Sequence, residues 1–198
     1  MAMRTLFFFL FLIGALFGHE FPDNFYKNLK EKSCVPTKNV LIIKVKEQKL
    51  ELYAQGKKRG SYTISTAKNG TGQQEGTGQT PLGFHKIARK IGDNAPPYAI
   101  FEGRQRKGTW RGQKKYKKQD LVLTRILWLE GIEEGFNKGR DKEGCSVDSY
   151  ERYIYIHSTN HEELLGQPVS KGCIRMSAED IVGLYALIQE GDLVWIEA

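Results

Sequence analysis

The segment Arg152-Tyr-Ile-Tyr-Ile-His157, followed downstream by Ser170-Lys-Gly-Cys-Ile-Arg175, decides how this chain is interpreted. Tyrosines and isoleucines alternate up to His157, and this period of two predicts a β-strand. The alternation puts the imidazole on the same face as the tyrosines and the isoleucines on the opposite face. Gly166 and Pro168 favour a turn of the intervening chain, so we expect the histidine and the Gly-Cys sequence to lie close together.

A cysteine near a histidine suits nucleophilic catalysis. An unperturbed thiol has a pKa of about 8.5 and is mostly protonated at pH 7, so it needs a base to become the reactive thiolate. A neutral His157 could accept the proton of Cys173, or the two could rest as a thiolate–imidazolium pair. Gly172 permits a close backbone approach, which makes the amides of Gly172 and Cys173 candidate donors to an oxyanion.

The order of these residues resembles the signature of the L,D-transpeptidase (YkuD-type) catalytic domain. That signature is a histidine, a short variable loop and then Ser/Thr-His-Gly-Cys, and it is matched here by His157 and by 170–173. The run Thr80-Pro-Leu-Gly-Phe84 resembles a second segment of the family, where it is structural. The resemblance covers the chain from about Val40 to Ala198 and implies that Cys173 is the nucleophile and His157 the base.

The resemblance also implies roles around this pair. In the family the backbone carbonyl after the catalytic histidine orients the imidazole, and Ser158 occupies that position. Ser170 matches the Ser/Thr of the signature, and with Gly172 and Ser158 it completes the expected orienting and oxyanion groups.

Three further residues are expected to contact the substrate. Lys171 replaces the usual histidine of the signature, and its charge could depress the thiol pKa or change the preference for donor or acceptor. Arg175 could hold a substrate carboxylate through two hydrogen bonds, with an ion pair to Glu179 as the alternative. Tyr155 shares the strand face of His157.

The family resemblance implies an enzyme that acts on peptidoglycan stem peptides. Cys173 would form a thioester with release of D-alanine, and an amine acceptor would then make a cross-link or attach a wall protein. With water as the acceptor, the enzyme would be an L,D-carboxypeptidase. No metal or organic cofactor is implied, and carbapenems are expected to acylate Cys173. The alternative from another class is a non-catalytic cell-wall-binding protein that uses the basic stretch 104–118.

The remaining pattern predicts a mainly β domain at 37–198, a sandwich or barrel of about eight strands with one helix in the C-terminal region. That helix begins with Ser177 in a capping-box-like sequence and ends by Gly191, and a short helix is possible around 24–32. The glycine-rich segment 70–83 leads into a strand and not a helix, which argues against a phosphate loop. The predicted strands are 40–45, 50–54, 61–67, 84–91, 121–129, 152–157 and 193–196.

The N-terminus predicts export. Residues 1–18 combine an early arginine with a short apolar run, typical of a signal peptide and too short for a stable membrane span, and 19–36 form a lead-in. We therefore expect an exported protein of the periplasm or cell envelope. The net charge of +7 suits an anionic wall, and we expect no nucleic-acid partner.

The cysteines allow two other arrangements. In an oxidising compartment Cys34 and Cys145 could form a disulfide, which would leave Cys173 free. A zinc site is the chemical rival, because His157 and His161 lie near Cys145 and Cys173 in sequence. The paired-histidine zinc motif requires a helix, however, and this run is strand-like, so no metal is predicted.

Overall fold

The computed structural model of the chain describes residues 21–198, and the predicted signal peptide at 1–18 lies outside them. The first helix precedes all the strands and the second lies just before the last one. The elements are α1 (Asp23–Glu31), β1 (Asn39–Lys44), β2 (Lys49–Ala54), β3 (Lys57–Thr63), β4 (Gly83–Ile91), β5 (Ala99–Glu102), β6 (Gln105–Thr109), β7 (Val122–Gly131), β8 (Tyr155–Ser158), β9 (Ile174–Met176), α2 (Ala178–Leu187) and β10 (Leu193–Glu197), with 3₁₀ turns at Lys114–Tyr116 and Glu162–Leu164.

The ten strands belong to one sheet that bends into a half-barrel. Its main path runs β3-β2-β1-β10-β4-β7-β5-β6, and β8 pairs with β7 and with β9. The pairs β1–β10 and β8–β9 are parallel, and the other pairs are antiparallel. The last strand therefore lies in the middle of the sheet, whereas β8 and β9 form a short branch beside β7.

Both faces of the central strands are buried, and each is covered by one helix. In β1, Leu41 and Ile43 join the largest core cluster, which includes the apolar residues of α2. Val40 and Ile42 point to the other face and join the cluster that contains α1. This division follows from the period of two along a strand, and it explains why β1 is apolar throughout.

Helix α1 attaches the predicted lead-in to the sheet. Its buried residues are Phe25 and Leu29, one helical turn apart. The Phe25 ring lies 5.9 Å from the ring of Phe84 and 5.5 Å from that of Trp195, measured between centroids. The segment before β1 is thus packed against the domain. Within residues 21–198, no helix combines the length and apolarity needed to cross a bilayer.

The mainly β prediction is confirmed, with differences in detail. The helix α2 begins as predicted, because the Ser177 hydroxyl accepts a hydrogen bond from the Asp180 N–H at 3.0 Å, but it ends at Leu187. Residues 21–198 form ten strands, where about eight were predicted for the domain. The strand predicted at 61–67 is wrong in its bounds: β3 ends at Thr63, and Ser65 continues as an isolated bridge.

The basic stretch 104–118 is not among the predicted strands, but its first part forms β6. This strand pairs only with β5 and lies at the edge of the sheet. Charged residues are common on edge strands because they discourage pairing with other chains. They also remove the apolar alternation by which a strand is predicted, so the β5–β6 hairpin was missed.

The disulfide considered from the sequence does not form. Cys34, Cys145 and Cys173 are all free thiols. Cys34 packs against the cluster around α1, and Cys145 is exposed. The sequence left this pairing open, and in the structure the two sulfurs are not bonded.

Candidate active site

The branch formed by β8 and β9 brings the predicted nucleophile and base to one place. In this parallel pair Ile156 lies opposite Ile174, and His157 lies opposite Arg175. The register continued by one residue places Tyr155 opposite Cys173, and the Tyr155 backbone N–H donates to the Cys173 sulfur. Because alternate residues share a face, the side chains of Cys173 and His157 belong to the same face of this branch.

His157 is buried and held through one ring nitrogen. Its Nδ1 lies 2.8 Å from the backbone oxygen of Ser158, and only 2% of the residue is exposed. An Nδ1–H that donates to this carbonyl leaves the lone pair on Nε2, as a proton acceptor requires. Burial lowers the pKa of His157, and the positive charge of Arg175 lowers it further, so the imidazole is neutral at pH 7.

The Cys173 thiol is protonated in the resting site. Burial raises its pKa to about 11, against the opposing effects of the Tyr155 N–H, Arg175 and Arg152. The sulfur lies 3.4 Å from the Tyr153 carbonyl oxygen, to which an S–H can donate. Of the two states considered from the sequence, the structure favours a neutral thiol beside a neutral imidazole.

This charge state predicts slow alkylation of Cys173 at neutral pH. Because only the thiolate reacts, a pKa of about 11 should make the iodoacetamide reaction at pH 7 roughly 100-fold slower than that of an ordinary thiol, and its rate should rise as the pH approaches 11. Peptide mass spectrometry can follow Cys173, with exposed Cys145 as an accessible thiol in the same sample. A fast rate that is constant from pH 6 to 9 would instead indicate a resting ion pair.

The loop before Cys173 is fixed by hydrogen bonds. The Ser170 hydroxyl donates to the Cys173 carbonyl at 2.6 Å and accepts from the Gly172 N–H at 3.2 Å. Thr80, from the second segment of the resemblance, donates to the Gly172 carbonyl at 3.0 Å. Gly172 has a φ of +129°, which side-chain-bearing residues rarely adopt. Its N–H is already engaged, so an oxyanion role for Gly172 would require it to exchange this partner, whereas the Cys173 N–H remains the other predicted donor.

The glycine-rich segment 70–83 is a support for this loop. Arg152 donates to the carbonyl oxygens of Gln73 and Gln79, each at 2.6 Å. An added Cβ on Gly172 would lie 3.3 Å from that same Gln79 oxygen, so the two segments are in close contact. The segment leads into β4 and not into a helix, which confirms that it is not built as a phosphate loop.

Arg175 forms a buried ion pair with a partner other than the two considered from the sequence, a substrate carboxylate and Glu179. Its side chain is 5% exposed and is paired with Asp120, which is 30% exposed. The exposed pair with Glu179, considered as an alternative, is therefore wrong. Both Asp120 and Arg175 act on the pKa values of His157 and Cys173, so the ion pair lies beside the predicted dyad. Contact between Arg175 and a substrate carboxylate would compete with Asp120.

An aromatic wall, which we define as Trp128, Tyr150, Tyr153 and Tyr155, borders the nucleophile. Trp128 and Tyr150 are stacked with centroids 4.0 Å apart, and Tyr155 meets Trp128 edge-on at 5.5 Å. Cys173 and Tyr150 pack against a buried cluster that contains Trp128 and Tyr155, and the Tyr153 ring lies 5.7 Å from the Trp128 ring. Tyr155, predicted as a substrate contact, is therefore a buried part of the wall.

Lys171 is on the surface and lines a cavity of about 280 Å³. The cavity also has Tyr153, Arg152 and the acidic residues Glu75 and Glu151 in its lining. The cations that lower the Cys173 pKa are Arg175 and Arg152, which the sequence did not identify for this role. Lys171 therefore borders this cavity, together with Arg152 and Tyr153.

The residues of the zinc alternative have other partners. His161 Nε2 lies 3.2 Å from the Gln119 carbonyl oxygen, and its Nδ1 is 3.3 Å from a Glu163 oxygen. Between residues 21 and 198, no group of three or more His, Cys, Asp or Glu side chains is arranged to hold a metal ion.

The site thus belongs to a mainly β half-barrel in which a histidine on β8 and a cysteine directly before its parallel partner β9 share one face. The family follows from the sequence match. A model of the YkuD family, the L,D-transpeptidase catalytic domain, matches residues 38–196. The chain belongs to this family. A search of curated proteins gives no match.

Solved structures agree on the fold. L,D-transpeptidase 3 from Mycobacterium tuberculosis has a TM-score of 0.51 and 16% identity, with 81% of this chain and 61% of that chain covered. A structure of that enzyme with a faropenem-derived adduct has a TM-score of 0.50, 16% identity and coverages of 81% and 60%. An L,D-transpeptidase from Mycobacterium smegmatis has a TM-score of 0.49 and 15% identity, with 81% of this chain and 59% of that chain covered. The chain thus spans about three fifths of these proteins.

Proposed function

We propose that this chain is a cysteine-dependent L,D-transpeptidase that acts on peptidoglycan stem peptides. Membership of the family supports this reaction class. The observation that carries the residue assignment is the β8–β9 register, which puts Cys173 and His157 on one face. The proposed donor is a stem peptide that ends in D-alanine, and the proposed scissile bond joins that D-alanine to the L-centre of a diamino acid.

In the proposed first step the Cys173 sulfur attacks the carbonyl carbon while the thiol proton moves to Nε2 of His157. The oxyanion forms near the Cys173 N–H, and its collapse breaks the C–N bond. His157 returns the proton to the departing nitrogen, so D-alanine leaves as an amine and a thioester remains. The lowered pKa of His157 supports this assignment, because a neutral imidazole is the form that accepts a proton.

In the second step an acceptor attacks the thioester and passes its proton to His157, and the thiolate that leaves takes that proton back. An amine acceptor gives a cross-link or attaches a wall protein, whereas water gives an L,D-carboxypeptidase. We favour the amine, because a transpeptidase passes the acyl group to an amine and the family model that matches this chain is that of the L,D-transpeptidase catalytic domain.

The proposed place of action is the cell envelope, after export by the predicted signal at 1–18. Peptidoglycan lies there, and the net charge of +7 suits an anionic surface. We also propose that carbapenems acylate Cys173. A faropenem-derived adduct in the Mycobacterium tuberculosis relative supports reaction of this fold with β-lactams.

Mass spectrometry of muropeptides incubated with the purified protein tests the proposal. We expect loss of D-alanine from tetrapeptide stems together with new dimers. Loss of D-alanine without dimers would establish the carboxypeptidase alternative. Binding to isolated wall that weakens with salt, without release of D-alanine, would contradict the proposal and favour the wall-binding protein.

A further inference from the structure

Arg104 is a cation held over the aromatic wall that borders the proposed nucleophile. Its guanidinium carbon lies 4.9 Å from the centre of the Trp128 ring and 5.0 Å from that of Tyr153. Its Nη1 donates to the Tyr155 hydroxyl at 3.4 Å. Contacts with three rings limit where the charge can move, although the residue remains partly exposed to solvent.

The same tyrosines connect Arg104 to the sulfur. The Tyr155 backbone N–H bonds to the Cys173 sulfur and its hydroxyl bonds to Arg104. Tyr153 provides a second connection, with its carbonyl 3.4 Å from the sulfur and its ring below the guanidinium. The sulfur and the guanidinium are therefore separated by one tyrosine residue and the hydrogen bond at each of its ends. A leaving residue, which spans roughly 3.8 Å between Cα atoms, would fill such a gap if its attacked carbonyl lies against the sulfur and its carboxylate is hydrogen-bonded to Arg104.

The backbone at Arg104 is unusual for an arginine. Gly103 and Arg104 form the turn between Glu102 and Gln105, which pair at the ends of β5 and β6. Both turn residues have positive φ, +55° and +68°, as in a type I′ hairpin turn that glycine and asparagine favour. An arginine in this conformation is disfavoured, and such backbone is concentrated at functional sites. A glycine would form this turn more readily, so the turn itself does not explain why the residue is an arginine.

We propose that Arg104 binds the free carboxylate of the residue that leaves, and so restricts the donor to peptides that end one residue after the attacked carbonyl. This inference rests on the proposed function. A guanidinium can donate two parallel hydrogen bonds to a carboxylate, and one of its five N–H groups is used by Tyr155. Arg175, predicted from the sequence for this role, is 4% exposed and already paired with Asp120.

The test compares two donors that differ only at this carboxylate, a tetrapeptide stem that ends in D-alanine and the same stem that ends in D-alaninamide. For the wild type we expect kcat/KM to be about 10- to 100-fold higher for the acid. Arg104→Gly should lower kcat/KM for the acid by that factor, mainly through a higher KM. It should leave kcat/KM for the amide within about twofold of the wild-type value. Arg104→Lys should fall between, because an ammonium cannot make the paired hydrogen bonds.

Arg106→Gln is the matched control, since Arg106 is an exposed arginine on the same hairpin. This variant should keep the wild-type preference for the donor that ends in the free acid over the donor that ends in the amide. Folding of Arg104→Gly is checked by its Tm, which should not fall much because glycine accepts the turn conformation. An unchanged preference in Arg104→Gly, or an equal loss on both donors, would overturn the inference. The wild type is assayed before the variants. If it releases neither D-alanine nor D-alaninamide, this result contradicts the proposed function itself and not only the role of Arg104.

Discussion

The variant Cys173→Ala is expected to keep its fold and to lose D-alanine release by at least about 10⁴-fold. Removal of a nucleophile eliminates the covalent route, as it does in enzymes where catalytic groups act as a unit. The side chain is small and only partly buried, so we expect little change in Tm. The same variant should form no carbapenem adduct. D-alanine release by mass spectrometry and the intact mass after carbapenem treatment provide the two measurements.

Cys145→Ala is the control for this experiment. Cys145 is a free thiol on the surface, and its replacement should leave both release and adduct formation at the wild-type level. Substantial D-alanine release by Cys173→Ala would exclude this sulfur as the nucleophile. Loss of the adduct in Cys145→Ala would show that the β-lactam reacts at another thiol.

The second large effect is expected for His157→Gln, which should lower kcat/KM for D-alanine release by about 10²- to 10⁴-fold. Glutamine is close in size to the histidine that it replaces, but it cannot take up a proton near pH 7. The wild-type rate should fall as acid protonates the imidazole. Because burial lowers the pKa of His157, this fall should occur below the ordinary value of about 6.5.

The pH profile separates a catalytic from a structural role. In His157→Gln the acid limb due to the imidazole should disappear from the residual rate, whereas a merely loosened site would keep it. His161→Gln is the control, since this histidine is near in sequence and belonged to the zinc alternative. It should retain wild-type activity. A large loss in His161→Gln, or an unaltered rate in His157→Gln, would argue against His157 as the base.

Local sequence was sufficient to predict β8, one strand of the branch that carries the candidate site, but not its partner β9. Alternation of tyrosine and isoleucine predicted β8, although Tyr153 has a φ of +56° and the strand begins only at Tyr155. The chain turn before Cys173 follows from glycine and proline. These signals lie within a few residues of the features they predict, and for this reason they can be recognised without knowledge of the fold.

The neighbours that control the site could not be predicted in the same way. Asp120 reaches it from the segment before β7, Trp128 from β7 itself and Arg104 from an edge hairpin. Their positions depend on strand register, which no short segment specifies. The pKa of the Cys173 thiol also depends on burial, which raises it to about 11. The sequence had suggested that the charge of Lys171 could lower this pKa. Lys171 is instead exposed beside the cavity.

The most direct test of the Cys173–His157 assignment is detection of the thioester itself. A donor tetrapeptide is mixed with the wild-type protein, quenched in acid and analysed by intact and peptide mass spectrometry. We expect a mass increase equal to the donor minus D-alanine, located on the peptide that contains Cys173, and this adduct should accumulate much more slowly in His157→Gln. Release of D-alanine without any adduct on Cys173, or an adduct on another residue, would contradict this assignment.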